Sequence, residues 1–334
     1  MTTPYQPSGK LLIYGAAGYT GRLIAQRAQE VGLDFAIAGR DAQAISVLAR
    51  ELGVESHVFS VDDAAGWQLA LAGKTCLLNV AGPFSATAAQ AMTACLAHQV
   101  HYLDITAEVD IYRLAESQNE AALAAGVMVL SGAGLFVSFD PLVLHTARRV
   151  PNPVKLRLAF KYSGGFTPGS VASSANIVKA GILVRRNGEL LQLPSAPAQP
   201  FDFGEGSEDC LPTPLGGVVL SWKSTGIPSI EEYFQMALPA ADSTTITAAT
   251  GAAATPSAAT LARSKLLAEV TDADGTVVRS MLDTPPGYEM TIFSAVAVAQ
   301  RVLRGDYLPG YQSPASAYGE AMLAELPDLH LLDL

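Results

Sequence analysis

Three glycines spaced three residues apart, Gly15, Gly18 and Gly21 in GAAGYTG, stand directly between the apolar run KLLIY (10–14) and an amphipathic stretch. This placement restricts the fold more than any other feature of the chain. A strand that turns at once into a helix, through residues without bulky side chains, opens a βαβ unit. On the helix that follows, Leu23, Ile24, Arg27 and Val31 share a face, with the stem of Arg27 along its edge. Gly32 stands where a left-handed C-terminal cap belongs.

The alternation continues through the first 130 residues. Asp34–Ala38 reads as a second strand and Ser56–Ser60 as a third. Between them Ile45, Leu48, Ala49 and Leu52 fall at i, i+3, i+4 and i+7 of a helix. Thr75–Val80, Val100–Asp104 and Val127–Leu130 read as three further strands, separated by Ala-rich helices near Ser85–Ala97 and Glu108–Ala125. Six strands joined by five crossovers predict an α/β chain with an N-terminal Rossmann sheet, doubly wound and parallel. Beyond Gly132, Pro and Gly become frequent. Strand-like stretches such as Val154–Tyr162 and Val218–Ser224 follow without regular crossovers, predicting a second, α+β domain. The Pro-rich run ELLQLPSAPAQPFDFGEG reads as a loop, Ser243–Ala262 as helix or strand, and Met290–Leu303 as a closing helix.

Composition excludes several function classes. A formal charge of −10, with 21 scattered Lys and Arg residues, argues against a nucleic-acid surface. No apolar stretch approaches the roughly 20 residues that span a bilayer. The start MTTPYQPSGK lacks the apolar core of a signal peptide, so a cytoplasmic location is expected. Cys76, Cys95 and Cys210 are too far apart for a CxxC site and read as reduced, mostly buried thiols. The five histidines are scattered, and no metal site is expected.

Phosphate approaches a backbone closely only where side chains are absent, and the N–H groups opening the next helix attract its charge. Gly15, Ala16, Ala17, Gly18, Tyr19, Thr20 and Gly21 are therefore the expected pyrophosphate cradle of a dinucleotide. At the end of the second strand, after Gly39, Arg40 stands where an acid would hold the ribose of NAD. Its guanidinium suits the 2′-phosphate of NADP, although Asp41 follows and could moderate that preference. Val61 and Asp62 are placed to line the adenine pocket. Asn79, Ala81, Gly82, Pro83 and Phe84 in NVAGPF are placed beneath the nicotinamide ribose, with a turn-forming role for Asn79 equally open. Asp104, Thr106 and Glu108 lie at the carboxyl end of the fifth strand, the edge where ligands lie, and Glu108 and Thr106 could equally cap the next helix. The Tyr-x-x-x-Lys pair of short-chain dehydrogenases and the GxSxG of serine hydrolases are both missing.

YGAAGYTGRL, AGR, NVAGPF, HYLDITAE, LSGAGLFVSFDP, STGIPSIEEY, PPGYEMT and GYQSPASAYGEAM, in that order, resemble the blocks of the saccharopine dehydrogenase-like (saccharopine reductase-like) oxidoreductases. That family includes trans-acting enoyl reductases. The resemblance implies NADP(H), hydride transfer to an imine, enoyl or related unsaturated group, and a last segment returning to the Rossmann part. The expected division is 1–131 for dinucleotide binding, 132–305 for substrate and dimerisation, and 306–334 for the return. Two departures, Ala107 where the family has Gly and SGAGLFVSFD where it has PGxGxD, fall near the substrate face.

Reduction of C=N or C=C needs a proton donor. Asp140, Lys161, Tyr162 and Tyr288 are the candidates, and SGGFTPGS (163–170) is a candidate wall over the substrate. The leading expectation is an NADPH-dependent reductase of a small or carrier-bound metabolite, acting as a homo-oligomer. A saccharopine-like amino-acid dehydrogenase is a second reading and would need a basic pocket, for which Lys155, Arg157, Lys161, Lys179, Arg185 and Arg186 are available. A third is an NADP-binding redox sensor without turnover.

Overall fold

The computed structural model describes residues 9–163, 177, 179–236 and 263–334, arranged on two sheets. The first is parallel and seven-stranded. Its strands are β1 (Leu11–Tyr14), β2 (Phe35–Gly39), β3 (Glu55–Val58), β4 (Cys76–Asn79), β5 (His101–Asp104), β6 (Met128–Ser131) and, from far down the chain, β15 (Gly310–Tyr311). They lie in the order β15-β6-β5-β4-β1-β2-β3. The strands β1, β2, β4, β5 and β6 are buried at every residue, which is why they read as unbroken apolar runs.

Around this sheet lie α1 (Tyr19–Glu30), α2 (Ala42–Leu52), α3 (Ala64–Leu71), α4 (Ala88–His98), α5 (Val109–Ser117) and α6 (Asn119–Ala125). The face that α1 buries is Gly21, Ile24, Ala25 and Ala28, one step round from the expected one. Small residues let α1 approach the sheet closely, while Arg27 lies over the Phe293 ring, 5.1 Å from its centroid. The helix expected over Glu108–Ala125 breaks at Gln118 into α5 and α6.

α7 (Phe136–Ala147) leads into the second sheet, of nine strands. These are β7 (Pro153–Tyr162), β8 (Ile182–Arg186), β9 (Glu189–Leu193), β10 (Gln199–Asp202), β11 (Ser207–Pro212), β12 (Ser229–Met236), β13 (Ser264–Asp272), β14 (Val277–Thr284) and β16 (His330–Asp333). The main path runs β10-β11-β12-β7-β13-β14-β16, and the β8–β9 hairpin hangs from β12. Alternation divides β7 between two environments. Leu156, Leu158 and Phe160 enter the large core shared with α7, whereas Ala159 joins a small cluster with Phe201, Phe203, Cys210, Tyr233, Leu267 and Met281.

Two sequence expectations fail in this half. Val218–Ser224 lies in a helix, α8 (Gly217–Thr225), despite its β-branched residues. Val218, Val219 and Leu220 are fully buried there, and packing outweighs a propensity difference of under about 1 kcal/mol per residue. The Pro-rich run is irregular between β9 and β10 and again at its end, 203–206, and the rest of it forms the strands β9 and β10. Ser243–Ala262 and most of SGGFTPGS lie outside the described residues.

Two further helices are α9 (Gly287–Leu303), which packs on α1, and α10 (Pro314–Tyr318). The chain thus returns to the first sheet twice, through α9 and through β15, which pairs in parallel with β6. It then leaves again as β16 beside β14. The three cysteines are free and buried. Among the described residues no helix is long and apolar enough to cross a membrane.

Candidate functional site

The carboxyl ends of β1, β2, β4, β5 and β6 bring most of the sequence candidates to one edge of the parallel sheet. Gly15 has φ +91°, and a methyl added there would stand 2.7 Å from the Ala81 backbone nitrogen. At Gly21 an added methyl would stand 2.4 Å from the Gly15 carbonyl oxygen. Both glycines are therefore required by the loop itself. Gly18 differs: it is exposed, its nearest added-methyl contact is 3.3 Å, and it occupies the N-cap of α1 with no capping side chain. The first turn of α1 also contains no acid, so its N–H groups face outward with the positive end of the helix dipole.

Arg40 is exposed at the end of β2 and forms no hydrogen bond or ion pair among the described residues. Its neighbour Asp41 caps α2 by accepting from the Ala44 N–H at 2.9 Å. The charge of Asp41 is thereby committed to a helix terminus, and Arg40 is left open to an anion. An uncapped helix start with the exposed Gly18 at its N-cap, and a guanidinium unpaired among the described residues, fit a phosphorylated dinucleotide.

Across the edge, the Val61 carbonyl accepts the Trp67 indole N–H at 2.8 Å, which fixes the turn carrying the exposed Asp62. Asn79 forms the turn considered for it, accepting from the Ala81 N–H at 3.1 Å and donating to Thr87 and Tyr102. The Gly82–Pro83 bond that follows is cis.

Glu108, only 3% exposed, reaches from the β5 side to this turn. Its two oxygens accept the backbone N–H groups of Phe84 at 2.8 Å and Ser85 at 3.1 Å. Although Glu108 occupies the N-cap of α5, its side chain does not cap that helix. Thr106 accepts from the Glu108 N–H at 3.0 Å. Asp104 is fully buried beneath the edge and accepts from Tyr102, Thr106, Ser131 and Gly132. Burial raises its pKa to about 6 against those four stabilising bonds. Asp104 and Thr106 thus brace the ends of β5 and β6 from below, correcting the expectation that they contact a ligand directly.

The four proton-donor candidates separate. Asp140 is fully buried in α7 and ties it to α8 and α10, accepting from Ser224 Oγ at 2.6 Å and the Ala315 N–H at 2.8 Å. Lys161 points to the far face of the second sheet, where Glu205 and Glu208 hold it. Neither faces the edge, and both are set aside. Tyr162 points the other way and its hydroxyl is hydrogen-bonded with that of Tyr288. Burial pushes the Tyr162 pKa well up. The Tyr288 ring stands edge-on to Tyr19 of the glycine loop, with centroids 6.3 Å apart. A tyrosine chain therefore runs from the second sheet to the start of α1.

Residues not singled out from the sequence complete this corner. A methyl at Gly134 would stand 3.1 Å from Thr291 and 3.3 Å from Ile105, so the β5 end, the β6 loop and the start of α9 meet there. The unusual SGAGLF spelling was the available signal.

Residues 11–130 match the family described as the saccharopine dehydrogenase NADP binding domain. The match bears out the family resemblance and the cofactor expected with it. Two curated relatives, both named trans-acting enoyl reductases of Mycobacterium tuberculosis, from strains ATCC 25618 / H37Rv and CDC 1551 / Oshkosh, are 25% identical over 189 residues. The match covers 50% of this chain and 44% of theirs, so the chain spans a little under half their length. Among solved structures, apo saccharopine dehydrogenase (L-Glu forming) of Saccharomyces cerevisiae aligns with TM-score 0.65 and 13% identity over 98% of this chain and 100% of its own. The homospermidine synthase of Legionella pneumophila, in complex with NAD, aligns with TM-score 0.62 and 8% identity over 100% and 93%. At such identities these likenesses establish the saccharopine dehydrogenase-like fold of both halves.

Proposed function

We propose that the chain is an NADPH-dependent reductase that delivers hydride to a C=C or C=N bond of an acceptor lacking anionic groups near the reacting atoms. The observation that carries this reading is the Tyr162–Tyr288 pair, set beside the glycine loop of a family NADP-binding domain. In this mechanism the N–H groups opening α1 would hold the pyrophosphate and Arg40 the 2′-phosphate, and the Gly82–Pro83 turn would support the nicotinamide ribose. The cofactor supplies hydride, and one proton completes the reduction. Tyr288 gives its hydroxyl proton to the acceptor, while Tyr162 donates its own hydrogen bond to the phenolate that results.

The charge inventory supports an uncharged acceptor over an amino-acid substrate. Of the six cations available for a basic pocket, Lys155, Arg157, Lys161 and Arg186 lie on the face of the second sheet away from the dinucleotide edge, and Arg185 donates to the Val218 and Gly188 carbonyls. Lys179 is exposed. Residues 164–176, 178 and 237–262 contain no Lys, Arg or His at all. The proposal includes a homo-oligomer acting in the cytoplasm, tested by solution mass and cell fractionation.

The deciding experiment follows protein fluorescence during NADPH and NADH titrations, then NADPH consumption with an enoyl thioester, a neutral imine and a dicarboxylic imine. Turnover of the neutral acceptors is expected. NADPH binding without turnover of any acceptor would favour the sensor, and turnover of the dicarboxylic imine alone would restore the amino-acid reading.

A further inference from the structure

On the face of the second sheet away from the dinucleotide edge lies a cavity of about 380 Å³. Lys155 and Arg157 of β7, Arg186 of β8, and Glu231 and Tyr233 of β12 line it, and Ser195–Pro197 of the Pro-rich segment form one wall. Its volume falls within the range of small-molecule sites, roughly 300–1,000 Å³. The cavity gathers three of the basic residues that the sequence offered for a carboxylate pocket.

The charges there do not balance. Glu231 receives both Lys155, at 3.3 Å, and Arg186, as well as the Tyr233 hydroxyl at 3.2 Å. Glu269 is shared by Arg157 at 2.9 Å and Arg279 at 2.7 Å. Three cations of the lining, Lys155, Arg157 and Arg186, thus face the single carboxylate of Glu231, while Glu269, outside the lining, divides its charge between Arg157 and Arg279. Glu232 does not restore the balance, because its carboxylate is turned to the opposite face and accepts the N–H groups of Leu215, Gly216 and Gly217. Arg157 is held flat over the Phe201 ring, 4.5 Å from its centroid, so one guanidinium is already positioned.

The geometry points to a second binding site here, for a small ligand with a doubly charged oxyanion head, either phosphate or dicarboxylate. Planar guanidinium groups beside a compact ammonium suit such a head. The excess charge matches a dianion, and the apolar rim at Val184 and Leu193 accommodates an uncharged remainder. The site shares no residue with the dinucleotide edge and stands independently of the catalytic proposal.

Thermal unfolding of the full chain is followed against inorganic phosphate and, separately, malonate, at constant ionic strength set with chloride. Arg40→Ala serves as background so that an anion held by Arg40 is not counted, and any rise shared with the cavity variant is assigned to the glycine loop. A saturable rise of about 2 °C at ten times the half-saturating concentration is expected, absent in the Lys155→Gln/Arg186→Gln double variant. The more potent anion identifies the head group. An equal rise in the double variant, or none beyond chloride, overturns the site. A second measurement needs no cavity variant: reductive methylation of Lys155, read by mass spectrometry, should slow several-fold with the effective anion while the exposed Lys179 does not change. Equal labelling of Lys155 with and without the anion also overturns it.

Discussion

Glu108 and Phe84, 24 positions apart, are joined by a 2.8 Å hydrogen bond from the Phe84 N–H to a carboxylate that also holds Ser85. The turn after β4 is thereby fixed by β5. Leaving one buried N–H unsatisfied costs about 1–3 kcal/mol. Glu108→Gln should lower kcat by about 10- to 100-fold while NADPH affinity changes by less than about 3-fold. Parallel steady-state kinetics and fluorescence titration check this. Equal losses in both would mean that Glu108 serves binding rather than positioning.

Among the described residues Arg40 has no acid to release when a phosphate arrives. Arg40→Ala should weaken NADPH binding by about 30- to 100-fold, the value of one charged hydrogen-bond set, and leave NADH binding unchanged. A matched loss for both nucleotides would show that Arg40 does not read the 2′-phosphate.

Gly21 and Gly53 provide an internal contrast. Gly21→Ala places a methyl 2.4 Å from the Gly15 carbonyl oxygen, whereas at Gly53, with φ +67°, nothing lies within 4 Å. Gly53→Ala should cost about 1 kcal/mol of stability at the left-handed cap of α2 without affecting the cofactor. Gly21→Ala should abolish dinucleotide binding. Calorimetry and NADPH titration separate the two.

Tyr288→Phe should reduce kcat by about 10²- to 10⁴-fold with NADPH binding intact. Tyr162→Phe, removing only the supporting hydroxyl, should cost less and shift the alkaline limb of the pH–rate profile. Full activity in Tyr288→Phe would remove it as proton donor.

Three buried carboxyls set the pH dependence of stability. Burial raises Asp104 and Asp140 to about 6 and Glu232 to about 7, from 3.8, 3.8 and 4.5. Their folded values lie above the unfolded ones, so the stabilisation they provide is complete in acid and lost as pH rises through about 6 to 7. The apparent Tm should therefore rise as pH falls from 8 towards about 5. His101, lowered to about 4 by burial, offsets part of this rise over the same range, and below it Glu55, lowered to about 2 by Lys10 and Lys74, also works in the opposite direction. Asp140→Asn should flatten part of the slope, and an unchanged slope would contradict the assignment.

The parallel sheet was legible because β1, β2, β4, β5 and β6 are buried on both faces, and their apolar runs declare themselves without reference to the rest of the chain. Helix α8 was not legible, since its surroundings rather than its Val and Trp residues decide its conformation. The candidate site shows the same division. The glycines act through local backbone geometry. The roles of Asp104 and Asp140 depend on donors contributed by other segments, Ser131 and Gly132 for one and Ser224 and Ala315 for the other. One ambiguity could have been resolved in advance: Lys161 and Tyr162 are adjacent on a strand, so alternation forbids both from facing one cleft.

The pairing of Gly310–Tyr311 with Met128–Val129 bears on how the protein is made. The outermost strand of the nucleotide sheet is encoded some 180 positions after its neighbour, in a stretch synthesised only after β7–β14. During translation the unpaired side of β6 therefore stays open while strands β7–β14 of the second sheet emerge. Ribosome-bound chains stopped before residue 310 would expose a hydrogen-bonding edge to chaperones or to other nascent copies.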